Sequence, residues 1–163
     1  MNKNLAIALL VLPVALFADE PRSAPTRATI TDQEIQLMQH DIRDQRRQIV
    51  AANLPLTTEE SAKFWPVYDQ YIAEVSKLLD TRYNQIKEYA ANYNGMTDQQ
   101  ATDYVKQLFA ADKAMADLRA KYMDSFAKVL PQKKAAMFVQ MDRRLQMMID
   151  LQRASRIPLI NPK

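Results

Sequence analysis

The chain has 163 residues, 48% of them apolar, which is enough for one modest hydrophobic core and too little for two full domains. It contains no cysteine, one glycine and one histidine. This composition excludes a disulfide framework, a cysteine nucleophile, a glycine-rich phosphate loop and a histidine-rich metal cage. The formal net charge of +3 is small but unevenly spread, because residues 131–163 carry seven basic and two acidic side chains.

The first residues are typical of a secretory signal peptide. Lys3 is followed by an apolar run from Leu5 to Ala18, and Asp19 begins a polar segment. We therefore predict a signal peptide over residues 1–18, cleaved near Ala18; the alternative, an uncleaved membrane anchor, needs a longer run of about 20 apolar residues. Residues 19–29, rich in Pro, Ser, Thr and Arg, are predicted to form a flexible leader. The predicted export argues against a nucleic-acid partner.

A short pattern recurs three times and predicts three helix starts. In each copy an apolar residue precedes a threonine, and a glutamate or glutamine follows the threonine by three positions. The threonine side chain can accept a hydrogen bond from the backbone of that third residue, whose own side chain reaches back to the threonine N–H, and this capping box begins a helix. The copies are Ile30 with Thr31 and Glu34, Leu56 with Thr57 and Glu60, and Met96 with Thr97 and Gln100. A fourth start is predicted after Leu130, with Pro131 at the first helical position.

The predicted fold is all-α, with about four helices over residues 30–156 and no strands. Helix one is predicted over about 31–52 and helix four over about 131–156, ahead of a non-helical tail at 157–163. Helices two and three form a long antiparallel hairpin, each about 50 Å long, with Gly95 in the left-handed conformation that ends helix two. Pro66 lies beyond the first turn of helix two, and the sequence leaves open whether it kinks that helix or separates a short helix before it.

Apolar residues recur at heptad spacing along every predicted helix. These rows include Ile35, Met38, Ile42 and Ile49 on helix one; Trp65, Tyr68, Ile72, Val75 and Leu79 on helix two; Met115, Leu118 and Tyr122 on helix three; and Phe138, Met141, Leu145 and Met148 on helix four. Second rows include Phe64, Tyr71 and Leu78 on helix two, and Phe109, Phe126 and Leu130 on helix three. One two-helix seam cannot cover this much apolar surface, so flanking helices or a second subunit must cover the remainder.

Few residues have the pattern of a catalytic or metal site. His40 faces solvent on the predicted helix one and has few neighbouring ligands, so no metal site, no cofactor and no catalytic residue is predicted, and an enzyme is not expected. Methionines are more informative, because Met137, Met141, Met147 and Met148 cluster on helix four. Methionine packs irregular cores, adapts to varied apolar partners and can bind soft copper, and all three interpretations stay open.

The recurrent Thr-x-x-Glu/Gln pattern, in an exported, cysteine-free helical chain of this length, resembles the LTxxQ-motif (Spy/CpxP-like) family of periplasmic stress proteins. The segment from Leu56 to Tyr68 is also similar to the related periplasmic metal-sensor and sigma-factor-sensor proteins. The resemblance covers about Ile30 to Gln152. It implies a periplasmic location, helical hairpins that dimerise into a thin, curved cradle, and ATP-independent chaperone activity or control of an envelope-stress sensor. The chain departs from the family at Pro131, where a threonine pattern is usual, and in lacking the histidines of the metal-sensing members.

Two functions follow as hypotheses. The first is a homodimeric periplasmic chaperone or stress adaptor that holds partly unfolded envelope proteins on an apolar, basic-rimmed concave surface. Its candidate client-binding residues are Met137, Met141, Met148, Arg143 and Arg144. The second is a sensor or regulatory partner, linked to a metal or a sigma factor, that binds one specific regulator. The basic C-terminal segment, residues 131–163, also predicts a weak contact with membrane surfaces, and the alternative interpretation is a solvated helix face.

Overall fold

Helices make up most of the chain over residues 45–162, which are the residues that the computed structural model describes. α1 is helical over residues 45–53, α2 spans Thr58–Asn92, α3 spans Asp98–Val129 and α4 spans Gln132–Ala154. A 3₁₀ turn, Tyr93–Gly95, follows α2, and no strand occurs within 45–162. The predicted all-α class, with four helices and a long helix pair, is confirmed. The predicted signal peptide and leader, together with Thr31, Glu34 and His40, lie outside the described residues.

α2 and α3 form a long antiparallel pair. They contain 35 and 32 residues, so each is about 50 Å long. Residues that come later in α2 contact residues that come earlier in α3. The ring centroids of Phe64 and Phe126 are 5.5 Å apart, and the Tyr122 hydroxyl donates to Glu74 Oε1 at 2.6 Å. Further along, Arg82 Nη1 donates to Asp112 Oδ1 at 2.7 Å, and the ring centroids of Tyr89 and Tyr104 are 4.2 Å apart. The two helices are therefore in contact over most of their length.

The hydrophobic core lies at the end of the hairpin on which α1 and α4 pack. Its centre is a group of aromatic side chains that are at most 2% exposed: Phe64, Tyr68, Tyr71, Phe126 and Phe138. The ring centroids of Phe126 and Phe138 are 4.5 Å apart in an edge-to-face arrangement, which adds to the free energy gained by burial alone. Val50 and Leu54 close this core from the side of α1.

The chain after α4 is not helical and lies along the opposite end of the hairpin. The Tyr89 hydroxyl donates a hydrogen bond of 2.8 Å to the carbonyl oxygen of Pro158, and the Tyr93 hydroxyl donates one of 3.1 Å to that of Leu159. Residues 158–162 have neither helix nor strand structure. This tail covers part of the hairpin end that is remote from the aromatic core.

The buried face of α2 lies between the two apolar rows predicted for it. The residues buried there include Phe64, Tyr68, Tyr71 and Val75, and those only half-buried include Trp65, Ile72 and Leu79. More than one helix packs against α2. Its buried face is therefore wider than the face that a single neighbouring helix would cover, and it is centred between the two predicted rows. Ile49 and Met148, which belong to the apolar rows predicted for helices one and four, are both exposed.

Two predictions about the course of α2 are settled by its backbone. The helix continues through Pro66, so a separate short helix before it is excluded. Pro66 has no N–H group to donate to the carbonyl oxygen of Ala62. Both residues are exposed, so a water molecule can donate that hydrogen bond instead. The predicted left-handed Gly95 is wrong, because no glycine in the described range has a positive φ. Tyr93 ends α2 in a right-handed conformation and the 3₁₀ turn leads directly into extended Met96, so the connection needs no left-handed residue.

Both predicted capping boxes that fall in the described residues are formed. The Thr57 hydroxyl accepts from the Glu60 N–H at 3.2 Å, and the Thr57 N–H donates to Glu60 Oε2 at 2.8 Å. The Thr97 hydroxyl accepts from the Gln100 N–H at 3.2 Å, and the Thr97 N–H donates to Gln100 Oε1 at 2.9 Å. Leu56 is half-buried against the core, as expected for the apolar residue before the cap.

The start of α4 differs by one position from the prediction. Pro131 is the N-cap rather than the first helical residue, since its ψ of 138° is not helical. Its carbonyl accepts from the N–H groups of Lys134 and Ala135 at 2.8 and 3.0 Å.

Replacing Thr57 or Thr97 with Ala should lower the free energy of unfolding by about 1 kcal/mol each, because an N–H group at the start of each long helix loses its acceptor. Thr58→Ala is the matched control: Thr58 is exposed and is the first residue inside α2, so its loss should change stability by less than about 0.5 kcal/mol. Urea denaturation of the three variants measures these differences. Equal values for Thr57→Ala and Thr58→Ala would contradict the capping role.

Glu60 has a second partner that makes the first turn of α2 sensitive to pH. Lys134 Nζ lies 2.6 Å from Glu60 Oε2 and joins the beginnings of α2 and α4. The hydrogen bond from Lys134, followed by that from the Thr57 backbone, lowers the pKa of Glu60 below its ordinary value of 4.5. A carboxylate whose pKa is lower in the folded state stabilises the fold above the unfolded pKa, and this contribution is lost as pH falls through the folded value.

Glu60→Gln keeps the acceptor that the capping box needs, as Gln100 does in α3, but removes the charge. The melting temperature of the unmodified protein should therefore fall more steeply than that of Glu60→Gln as pH is lowered from about 6 to about 3. Circular dichroism melts across this range measure the effect. Parallel curves for the two proteins would show that the charge of Glu60 does not contribute.

Candidate functional site

The candidate client-binding residues lie on two different sides of α4. The buried face of this helix contains Ala135, Phe138, Asp142 and Gln146. On the side of α4 away from this buried face, five side chains follow one another at alternate spacings of four and three positions and so form one row. This row, here named the α4 stripe, consists of Met137, Met141, Arg144, Met148 and Leu151. The exposed fractions of Met137, Met148 and Leu151 are 43%, 65% and 73%, whereas Met141 is half-buried. Four of the five predicted residues thus share one surface.

Arg143 is the exception among the predicted residues. It lines a cleft between α2, α3 and α4, here named the arginine cleft, whose volume is about 330 Å³. The residues lining it are Leu78, Leu79, Arg82, Ala111, Asp112, Met115, Ala116, Arg119, Arg143, Gln146, Met147 and Asp150. Met147, which the sequence grouped with Met148, therefore belongs to the cleft and not to the stripe.

Leu151 is the stripe residue that the sequence analysis missed. The cluster of methionines that predicted this surface ends at Met148. Continuing the same spacing of four and three from Met137 leads directly to Leu151, which is the most exposed apolar side chain of the stripe. The signal was therefore present in the spacing rather than in the residue type.

A buried ionic cluster lies on the opposite side of α4 from the stripe. Its centre is Asp142, which is 1% exposed. The Tyr71 hydroxyl donates to Asp142 Oδ2 at 2.6 Å, Arg119 Nε donates to the same oxygen at 3.1 Å, and Arg46 Nε lies 3.2 Å from Oδ1. Because Arg46, Tyr71 and Arg119 belong to α1, α2 and α3, this one carboxylate connects all four helices.

The cluster extends along α4 through a second layer of polar contacts. Arg46 Nη2 donates to Gln146 Oε1 at 3.1 Å, and Gln146 Nε2 donates to Asp150 Oδ1 at 3.1 Å. Arg153 Nη1 donates to the same oxygen of Asp150 at 2.8 Å. This layer fixes the orientation of Arg46, which is itself buried.

The chemistry of the cluster is that of a structural contact. Burial, with the neighbouring Asp142 acting in the same direction, raises the pKa of Tyr71 far above its ordinary value, so the phenol stays protonated and donates to the carboxylate. Burial likewise raises the pKa of Tyr68 to about 12. With a phenol and two guanidinium groups around it, Asp142 is committed to holding the helices together.

Replacing Asp142 with Asn should lower the free energy of unfolding by about 3 kcal/mol or more, because the buried guanidinium group of Arg46 and the partly buried one of Arg119 lose their compensating charge. Asp117→Asn is the matched control. Its carboxylate pairs with Lys113 at 2.6 Å on the surface of α3, where an exposed pair contributes less than about 1 kcal/mol. Denaturant unfolding of both variants tests the difference, and similar small losses would show that Asp142 is not the central contact.

Neither a metal centre nor a membrane span is found in the described part of the chain. Within residues 45–162 no three or more His, Cys, Asp or Glu side chains are grouped so that they could hold a metal ion. None of the described helices combines the length and the apolar character needed to cross a bilayer. Comparison of the chain with protein-family models, with curated proteins and with solved structures returned no match. The features of residues 45–162 that bear on function are therefore the α4 stripe, the arginine cleft and the ionic cluster.

Proposed function

We propose that this protein is a non-enzymatic binding protein of the periplasm, an ATP-independent chaperone or envelope-stress adaptor that holds partly unfolded proteins on the α4 stripe. The observation that carries the proposal is the exposure of Met137, Met148 and Leu151 in one row on a single helix. Apolar surface in water is costly in free energy, and contiguous apolar patches on soluble proteins mark interaction sites. The stripe is thus a surface that gains from being covered.

The chemistry of the stripe suits partners of varied sequence. Methionine is unbranched and polarisable, so Met137, Met141 and Met148 can adjust to apolar side chains of different shapes. Arg144 lies within the same row and adds a positive charge. The excess of basic over acidic side chains in residues 131–163 supports capture of acidic segments and faster encounter with them. Such contacts favour weak binding of many clients over tight binding of one.

The ionic cluster supports this function by fixing the helix that carries the stripe. Asp142 and Gln146 are held from the buried side of α4 by Arg46 and Arg119. The stripe is therefore presented by a rigid helix, and a client can bind and leave without rearrangement of the fold. No nucleotide-driven step is needed in such a mechanism.

Dimerisation belongs to the same proposal. The resemblance to LTxxQ-motif proteins implies a homodimer with a curved cradle, and two copies would present two stripes to one client. Two linked sites bind an extended chain more tightly than either site alone. The second hypothesis, a partner of one specific regulator, uses the same exposed row for a single ligand and makes a different prediction about client range.

The experiment is suppression of aggregation of several unrelated unfolded proteins at substoichiometric amounts of this protein. A variant with Met137→Ser, Met148→Ser and Leu151→Ser should lose most of the suppression, because the apolar stripe is removed. Phe109→Ser is the matched control, since Phe109 is 66% exposed but lies on α3 and outside the stripe. Circular dichroism melts of both variants check that the fold is retained.

Each result separates the hypotheses. Loss in the triple variant with retention in Phe109→Ser supports client binding at the stripe. Equal loss in both variants would place binding on apolar surface in general and overturn the role of α4. Absence of suppression by the unmodified protein for all clients would overturn the chaperone, and tight binding of one regulator alone would favour the regulatory partner.

A further inference from the structure

We infer that the arginine cleft binds a small organic anion, namely a singly charged carboxylate that carries an apolar chain. The cleft is separate from the α4 stripe, because Arg143 and Met147 line it whereas Arg144 and Met148 belong to the stripe. The inference is therefore independent of client binding. It rests on the convergence of charge, the apolar walls and the size of the cleft.

Three guanidinium groups from three helices line the cleft. Arg82 comes from α2, Arg119 from α3 and Arg143 from α4. Arg143 is exposed and has no ion pair with any residue in the described range. Arg119 is held by Asp142 through Nε, but its Nη2 is buried without a hydrogen-bond partner among the described residues. Arginine presents donors in a planar fork that matches a carboxylate, so this is the side chain expected at an anion site.

The charge balance of the lining indicates a ligand with one negative charge. Arg82 pairs with Asp112 at 2.7 Å, Arg119 with Asp142 at 3.1 Å, and Asp150 with Arg153 at 2.8 Å. Arg143 is therefore the lining arginine without an ion pair among the described residues, which leaves one positive charge for a ligand. A doubly charged anion would meet the two lining carboxylates, Asp112 and Asp150, at higher cost than a monoanion.

The remaining walls of the cleft fit a hydrocarbon chain. Leu78 and Leu79 from α2, Met115 from α3 and Met147 from α4 provide apolar surface beside the guanidinium groups. The volume of about 330 Å³ is in the range of small-molecule sites. An anionic headgroup near Arg143 with a short chain along these walls satisfies both parts of the lining.

The test is isothermal titration calorimetry of octanoate into the full chain, with octan-1-ol, octylamine, acetate and octyl phosphate as comparison ligands. Octanoate should bind saturably and more tightly than every comparison ligand. Octan-1-ol lacks the negative charge, octylamine has a positive charge in its place, acetate lacks the apolar chain, and octyl phosphate carries additional negative charge. Absence of saturable octanoate binding would overturn the proposal. Equal binding of octan-1-ol would show that the guanidinium groups do not recognise the ligand and would overturn it as well.

Two pairs of neighbouring variants locate the site. Arg143→Gln should weaken octanoate binding about tenfold through loss of a charge-assisted contact, and Arg144→Gln should change it less than about twofold. Met147→Glu places a negative charge at the cleft and should abolish binding, whereas Met148→Glu should not. Arg143, Arg144, Met147 and Met148 are all exposed, so these changes leave the core intact. Equal effects within both pairs would overturn the assignment to the cleft.

A spectroscopic measurement distinguishes the cleft from the stripe without any substitution. With ¹³C-labelled methionine methyl groups, octanoate should shift the signals of Met115 and Met147, which line the cleft. The signals of Met137 and Met148 should stay in place. Shifts confined to Met137 and Met148 would show that octanoate binds the apolar stripe and would overturn the proposal.

Discussion

A single buried carboxylate is the contact on which the arrangement of the four helices depends. Taking Asp142 out of water is costly, and the cost is offset only because a phenol and two guanidinium groups surround it. Those groups come from three other helices, so no pair of helices forms the contact alone. The ion pairs to Asp142 form in only one register of α4 on the hairpin, and so they add to the specificity of the apolar packing. The energetic role of Asp142 is therefore as much to select this arrangement as to stabilise it.

Because α4 is fixed from one side, its other sides are available for different tasks. The side with Asp142 and Gln146 faces the bundle, the α4 stripe faces solvent, and Arg143 and Met147 complete the arginine cleft. One helix of 23 residues thus serves as a structural element, an apolar platform and a wall of a cleft. These surfaces share a backbone but no side chain except Gln146, which belongs to the buried face and also lines the cleft. A ligand in the cleft would therefore meet the same glutamine that orients Arg46.

The sequence predicted those parts of the fold that local chemistry determines. Thr57 and Thr97 carry the complete capping pattern, and apolar periodicity without strand signals indicated an all-α chain with a long helix pair. The backbone conformation of Gly95 was predicted wrongly because a lone glycine after a helix favours the left-handed conformation that ends many helices. In this protein a 3₁₀ turn connects α2 to α3 without any left-handed residue. The buried face of α2 was predicted wrongly because a heptad row describes the contact between two helices, and α2 contacts more than one.

Asp142 could not be identified at all, since an aspartate beside Arg143 and Arg144 has the local pattern of a solvated helix face. Its partners, Arg46, Tyr71 and Arg119, are distant in sequence and come together only in the folded chain.

The tail after α4 is held against the hairpin through its backbone, and this affects which substitutions its sequence can accept. Tyr89 and Tyr93 bind it through the carbonyl oxygens of Pro158 and Leu159, and the side chain of Leu159 points away into solvent. Every amino acid supplies the same carbonyl group, so the two tyrosines recognise where the backbone lies and not which residues it carries. The spacing between α4 and these acceptors is therefore constrained, whereas the exposed side chains of Pro158 and Leu159 do not take part in the two hydrogen bonds and can be replaced without losing them.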